Sequence, residues 1–163
     1  MAIPAGFAQH VSGYWIKLSD QSGPYSFDGT NTPVIVPASA TIADTAALLT
    51  YTAAAAGTNG ADQTNSNARG IKLVIDITAL TGVGPTLIVV LQGKDAASGK
   101  YYTIANTANL TTVATTVMEV YPSLTPAGNT AFSSTLPRVW RVTATISGTT
   151  PTVTATVGAS LIV

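Results

Sequence analysis

The carboxylates are the side chains with which this sequence could perform acid–base chemistry. Glu119 is its only glutamate and lies in a predicted strand. Paired with Asp76 or Asp95 across a β-sandwich, it would supply the two carboxylates, roughly 5–10 Å apart, that glycoside hydrolysis requires. Nothing in the spacing of these residues brings them together, and the only histidine, His10, has no acid within several residues. We therefore expect no catalytic site and no enzymatic activity.

One stretch partly matches a calcium-binding loop. In NSNARGIKLVID, Asn65, Asn67 and Gly70 take the first, third and sixth positions, and Asp76 takes the twelfth. Arg69 takes the fifth position, where a ligand oxygen is needed, so its positive charge would repel the ion. The chain also has no cysteine. The sequence thus predicts no metal site and no cofactor, and the asparagines are expected to cap a turn.

Composition limits the classes of partner. Charged residues make up 9% of the 163 residues, against roughly 25% in an ordinary soluble domain, and the formal net charge is zero. Nucleic acids and anionic lipids are bound by clustered Lys and Arg, so neither is an expected partner. The sequence has no apparent secretion signal or membrane span, so we expect a soluble chain made in the cytoplasm. Weak charge favours self-association, and thus a protein that works within an assembly.

The first 44 residues lack the regular alternation of apolar and polar residues that the rest of the chain shows. Prolines and glycines interrupt them, which predicts an irregular N-terminal arm with short extended pieces at Tyr14–Leu18 and Val34–Val36. Aromatic side chains often anchor interfaces, and an apolar run can add a strand to a neighbour's sheet edge. The candidate interface residues are Tyr14, Trp15, Tyr25, Phe27, Val34, Ile35 and Val36. The aromatic ones could equally fold back over one end of the following domain.

The rest of the chain shows the two-residue alternation of half-buried strands. Thr45–Gly60 is rich in alanine, but its β-branched residues favour a strand over a helix. From Ile71 to Ile77 apolar side chains alternate with polar ones, except that Val74 falls on the polar side. The segment TGVGP at 81–85 predicts a turn, and GTTP at 148–151 predicts a hairpin between the last two strands.

Six or seven strands without a crossover helix predict an all-β fold, an antiparallel β-sandwich with a jelly-roll-like topology. The predicted domains are the irregular arm over residues 1–44 and the β-sandwich over residues 45–163.

Three expectations concern aromatic and basic side chains of the sandwich. Trp140 should lie in the core rather than form a sugar platform. Tyr101 and Tyr102 point to opposite faces of one strand, so one should be in the core and the other outside. Arg138 and Arg141 should pair with an aspartate, for which the candidates are Asp62, Asp76 and Asp95.

Five short motifs follow one another in the second part of the chain: DQTN, ARG before a strand, QGKD with SGKYY, VYP, and LPRVWRV. In their order and spacing the chain resembles a family of small virion-associated proteins of tailed bacteriophages and prophages, over about two-thirds of its length. The resemblance implies a β-sandwich displayed on the virion, as a capsid decoration or cement protein. The arm lies outside the shared pattern.

The resemblance also implies partners and a location. A decoration protein would contact a major capsid protein on the exterior of the shell, and a homotrimer would match the local threefold positions of a capsid. The rival hypothesis is a carbohydrate-binding module of a head fibre or tail tip. Such a module should expose two or three aromatic side chains near one end or face, with amides beside them. The aromatic candidates here are scattered between the arm and separate strands.

Overall fold

The computed structural model describes residues 7–9, 15–17, 25–27, 33–35 and 45–163, with side chains from Ala47 onward. The chain divides into two compact units, Met1–Thr41 and Ile42–Val163. In the first unit four short strands pair antiparallel in chain order: β1 (Phe7–Gln9), β2 (Trp15–Lys17), β3 (Tyr25–Phe27) and β4 (Pro33–Ile35). Strand β2 falls within the predicted extended stretch Tyr14–Leu18, and β4 overlaps the other stretch, Val34–Val36, at Val34 and Ile35.

The second unit contains one seven-stranded sheet. Its strands are β5 (Thr45–Ala54), β6 (Gln63–Thr64), β7 (Gly70–Lys94), β8 (Tyr101–Asn106), β9 (Thr115–Val120), β10 (Ala131–Phe132) and β11 (Val139–Ile162). The order is β10-β9-β7-β11-β5, with β6 on β11 and β8 on β7. Every pair is antiparallel except β10 with β9. The prediction of an all-β, antiparallel fold is confirmed. The strand predicted within Thr45–Gly60 is also confirmed, as β5.

Two strands are about twice as long as the sequence predicts, and the predicted hairpin is wrong. Strand β11 spans 24 residues and runs through the GTTP segment without reversing. Strand β7 spans 25 residues and runs through TGVGP. The two long strands pair with each other from Trp140 opposite Gly93 to Ile162 opposite Gly70. Each turn signal therefore lies inside a strand, and the two signals lie side by side in the sheet.

Close backbone contact explains why these segments bend instead of turning back. Gly82 and Gly148 have backbone φ angles of +112° and +130°, which residues other than glycine rarely adopt. A Cβ on Gly82 would lie 2.7 Å from the Thr150 carbonyl oxygen, and one on Gly148 would lie 2.9 Å from that of Gly84. Register shifts between β7 and β11 occur at the same place. We call residues 81–85 and 147–151 the glycine corner, where both strands change direction together.

The buried face of the sheet forms one hydrophobic core with residues from both sides of the glycine corner. Its fully buried members include Ile71, Leu73, Ile75, Leu87, Val89 and Leu91. The described residues contain no helix that could cover this face. Core residues from both halves of the bent sheet belong to this one cluster, as expected for a sandwich-like fold.

Trp140 lies at the start of β11 and is 1% exposed, which confirms its predicted place in the core. Its indole Nε1 has no hydrogen-bond partner. Among the described side chains, it is the one buried polar atom that lacks a partner.

Candidate functional site

The three carboxylates considered for glycoside hydrolysis lie in separate surroundings. Glu119 on β9 forms an ion pair with Lys72, at 3.6 Å between Oε2 and Nζ. Asp76 on β7 accepts a hydrogen bond from the Thr115 hydroxyl at 2.7 Å. Because Lys72 is opposite Glu119 and Thr115 is opposite Asp76, the two carboxylates are separated by four residues of strand, roughly 13 Å. That separation exceeds the range that hydrolysis uses.

Asp95 caps the turn after β7. Its Oδ2 accepts hydrogen bonds from the backbone N–H of Ser98 at 2.7 Å and from the Ser98 hydroxyl at 2.6 Å. The Ser98 side chain and then its backbone N–H lower the pKa of the Asp95 carboxyl. This carboxylate therefore stabilises a local turn.

The calcium-like stretch is used for packing. The Asn65 carboxamide is buried, and its nitrogen donates to the carbonyl oxygens of Ala68 (2.8 Å) and Leu136 (3.0 Å). Its oxygen accepts from the Ala68 N–H at 2.8 Å. The turn-capping role expected for this residue is thus observed. Among the described residues no group of three acidic or histidine side chains could hold a metal ion.

A polar cluster lies on the outer face, where β8, β7 and β11 run side by side. We call it the Tyr101 cluster. The Tyr101 hydroxyl donates to Asp62 Oδ1 at 2.6 Å, and Lys94 Nζ donates to Oδ2 at 2.8 Å. The Arg141 guanidinium lies over the Tyr101 ring, 3.4 Å from its centroid, and its Nε donates to Gln92 at 2.9 Å. Strand pairing places these groups together, since Lys94 is opposite Tyr101 and Arg141 is opposite Gln92.

Charge and hydrogen bonds in this cluster shift two pKa values. The hydrogen bond from Lys94, followed by that from Tyr101, lowers the pKa of the Asp62 carboxyl, and Arg141 adds a smaller effect of the same sign. Asp62 in turn raises the pKa of Lys94. Arg141, like Arg138, was expected to pair directly with an aspartate. The structure instead places Lys94 on Asp62 and Arg141 on an aromatic ring, a cation–π contact.

Neither of the adjacent tyrosines is in the core, so that prediction is wrong. Tyr101 is half-buried under Arg141 on the outer face, and Tyr102 is 49% exposed. A Cβ on Gly93 would lie 2.5 Å from the Tyr102 ring and 2.9 Å from Pro137. The ring therefore lies against the edge of the sandwich, over a position without a side chain, and not between the layers. A register shift between Leu91 and Gln92 accompanies this arrangement.

The predicted interface residues all precede the part of the chain with described side chains. Tyr14 and Val36 lie outside the described residues. Trp15, Tyr25, Phe27, Val34 and Ile35 lie in strands β2, β3 and β4, which the structure describes as backbone. Their role at an interface stays a prediction.

Sequence reasoning missed a second surface, the outer face of β9, β7, β11 and β5 on one side of the glycine corner. Val74 and Val117 are opposite each other there and are 37% and 42% exposed. Gly158 is opposite Val74 on the other side, and nothing lies within 4 Å of where its Cβ would be. The signal was present in the sequence, because Val74 breaks the polar alternation of its strand.

Comparisons with known proteins give one structural similarity. No protein family model and no curated protein matches the chain. The fold is similar to a chain in a solved structure described as "Structure of infectious bursal disease virus Gt strain", with a TM-score of 0.34 and 12% identity. The match covers 99% of this chain and 42% of that chain, so this chain spans less than half of its length. In the described residues no helix is suited to crossing a membrane.

Proposed function

We propose that this protein is a non-enzymatic structural component of a tailed-bacteriophage virion, a decoration or cement protein on the exterior of the capsid. Its partner would be the major capsid protein, and the chain would be made in the cytoplasm of the bacterial host. Nucleic acid and membranes are not expected partners, because the chain has no net charge and few cations. The arm and the exposed sheet edges would provide the contacts.

The observation that supports this proposal is where the five motifs on which the resemblance rests lie in the fold. Asp62 of DQTN, Lys94 of QGKD, Tyr101 of SGKYY and Arg141 of LPRVWRV meet in the Tyr101 cluster. The remaining two motifs also meet each other, since the guanidinium of Arg69 lies 5.6 Å from the centroid of the Tyr121 ring. The motif side chains bind one another and fix the sheet. That is a use suited to a rigid building block.

Co-sedimentation with capsid shells tests the proposal. Purified protein is titrated onto expanded shells of the phage that encodes it, with shells of an unrelated phage as the control. We expect saturable binding to the cognate shells at a fixed number of copies per capsomer, with copy number in multiples of three if the expected trimer binds at local threefold positions. Absence of binding to the cognate shells would refute the decoration role.

The alternative is a carbohydrate-binding module of a head fibre or tail tip. Tyr102 supports it, because this ring is 49% exposed at the edge of the sandwich, where a sugar could stack on it. A glycan screen of the wild type and of Tyr102→Ala tests this function. A hit that the substitution abolishes would favour the alternative, and no hit together with shell binding would exclude it.

A further inference from the structure

Two contacts hold the Arg141 guanidinium in one position within the Tyr101 cluster. Its central carbon lies 3.4 Å from the centroid of the Tyr101 ring, and its Nε donates to Gln92 Oε1 at 2.9 Å. The ring is itself anchored, because the Tyr101 hydroxyl donates to Asp62 at 2.6 Å. A guanidinium that is already fixed loses little conformational freedom when it forms further hydrogen bonds.

The two terminal nitrogens of this guanidinium are open to a ligand. Among the described residues no side chain or carbonyl accepts a hydrogen bond from Nη1 or Nη2 of Arg141. Neither nitrogen is buried, since Trp140 Nε1 is the one buried side-chain polar atom without a partner in the described part of the chain. Arg141 therefore presents a planar fork of N–H donors to solvent, a geometry that matches the two oxygens of a carboxylate.

The carboxylate of the cluster does not neutralise both of its cations. Asp62 accepts from Lys94 at 2.8 Å as well as from Tyr101. The Lys94 ammonium also lies over the Tyr101 ring, 5.2 Å from its centroid, so two cations share one ring and one carboxylate. Asp62 would repel an incoming anion, but Lys94 and Arg141 outnumber it, and the cluster keeps an excess of one positive charge.

Neighbouring side chains add to this excess. Lys100 immediately precedes β8 and Arg138 immediately precedes β11, at the end of the strands where the cluster lies. Neither forms an ion pair with a described residue. Asp95 is the other acid at this end, and its Oδ2 is bonded to Ser98.

The positive charge is confined to this end of the sheet. Near β9 the two cations Arg69 and Lys72 are balanced by the two acids Asp76 and Glu119. The zero net charge of the whole chain therefore conceals a local positive patch, in which Arg141 offers the most ordered donors.

From the open fork and the excess charge we infer that Arg141 binds a carboxylate on an acidic segment of a partner protein. The acidic side chain would accept two parallel hydrogen bonds from Nη1 and Nη2 while Nε stays on Gln92. An acidic sugar fits less well, because Arg141 and Lys94 already lie over the Tyr101 ring on which it would stack. Nucleic acid fits less well because it requires several cations along its phosphates.

This site goes beyond the proposed function, and it is tested on the free protein. The full-length chain, labelled with ¹⁵N, is titrated with tetraglutamate whose termini are blocked, and tetraglutamine with the same blocks is the control. At about pH 6 the glutamates are ionised. The Nε–H resonance of Arg141 should shift in a saturable way with tetraglutamate and should not move with tetraglutamine.

Salt and substitution then define the contact. Because salt screens exposed charges, we expect a millimolar dissociation constant at about 20 mM salt and at least threefold weaker binding at about 150 mM. Arg141→Gln should raise the dissociation constant at least tenfold, and Arg141→Lys, which keeps the charge without the fork, at least threefold.

Arg69→Gln is the matched control. Arg69 also lies over a tyrosine ring, 5.6 Å from the centroid of Tyr121, but at the end of the sheet where the charges balance. This substitution should change the dissociation constant less than about twofold. Circular dichroism must show that each variant keeps its fold.

Several outcomes would overturn the inference. The first is an Arg141 Nε–H resonance that tetraglutamate does not move, which needs no variant and so cannot be confused with unfolding. The second is an equal response to tetraglutamine, and the third is equal weakening by Arg141→Gln and Arg69→Gln. Tighter binding of tetragalacturonate would overturn the assignment of a protein ligand, and tighter binding of inorganic phosphate would overturn the assignment of a carboxylate.

Discussion

Single buried side chains hold loops of this protein in place, and Asn65 does so through three hydrogen bonds. Asn65→Ala would leave the Ala68 N–H and the Leu136 carbonyl oxygen buried without this partner. Each unsatisfied group costs about 1–3 kcal/mol, so we expect a loss of about 2–4 kcal/mol in the free energy of unfolding. Urea unfolding measures it. Asn109→Ala, the same change at an exposed position, should cost less than about 0.5 kcal/mol, and an equal loss in both would contradict this role.

A second residue-level prediction concerns pH. The pKa of Asp62 is lower in the folded chain than in the unfolded one, so its contribution to stability is present above about pH 4. It is lost as pH falls through the lowered folded pKa. The pKa of Lys94 is raised, so its contribution is present below about pH 10 and is lost as pH rises through the raised value. The ion pair therefore stabilises the fold between these limits.

Asp62→Asn should remove this dependence. The difference in unfolding temperature between wild type and variant should be largest near neutral pH and should shrink toward both pH 2 and pH 12. Asp95→Asn is the matched comparison, because Ser98 and not a lysine lowers that pKa. Its difference from the wild type should shrink only on the acid side. A pH-independent difference for Asp62→Asn would show that the charge pair contributes nothing.

At the scale of elements, the glycine corner should be sensitive to any side chain. Gly148→Ala would place a Cβ at φ +130° and 2.9 Å from a backbone oxygen. Strained backbone alone costs about 1–3 kcal/mol, which corresponds to a loss of roughly 2–12 °C in the unfolding temperature. Gly158→Ala on the same strand has open space and an ordinary φ, so in dilute solution it should be neutral or slightly stabilising. Equal effects of both changes would mean that the corner is not tightly packed.

The same corner shows how far the sequence predicts the elements. Alternation identifies the strands of both sheet halves, because burial of one face imposes a two-residue period whatever the pairing. It cannot tell whether a Gly- and Pro-rich segment reverses the chain or bends it. That depends on the partner strand, and Gly82 and Gly148 form their close contacts across more than sixty residues of sequence. In β11 the buried positions change from even to odd between Ile146 and Val153, which also resembles two strands joined by a turn.

The candidate sites also include one part that the sequence could predict and others that it could not. The structural role of the asparagine in the turn was predictable, since a carboxamide before a short turn commonly caps it. The Tyr101 cluster was not predictable, because Asp62, Lys94 and Arg141 come together only through the pairing of β11 with both β6, which Asp62 precedes, and β7. The outer surface around Val74 left one trace in the sequence, a valine at a position where the alternation predicts a polar residue. Its meaning required the neighbours Val117 and Gly158, which belong to other strands.

At the scale of the whole molecule, the first unit should be separable from the second. The described core consists of residues from Leu49 onward, so a chain without Met1–Pro37 should still unfold cooperatively and keep its β-type circular dichroism. Shell binding should fall at least tenfold if the arm supplies attachment. A truncated chain that fails to fold would show that the arm belongs to the core. One that folds and binds shells fully would remove the arm from the proposed attachment.

The position of β11 has a consequence for synthesis on the ribosome. It follows the other described strands of the sheet in the sequence, yet it lies in the middle of the sheet, with β7 on one side and β5 on the other. Until β11 has emerged, one long edge of β7 has no partner and β5 has nowhere to pair. The sheet therefore closes only after β11 has been translated, and until then the nascent chain exposes an unpaired edge of β7. Such late, long-range pairing is intrinsically slow and leaves the chain prone to aggregation until β11 has joined the sheet.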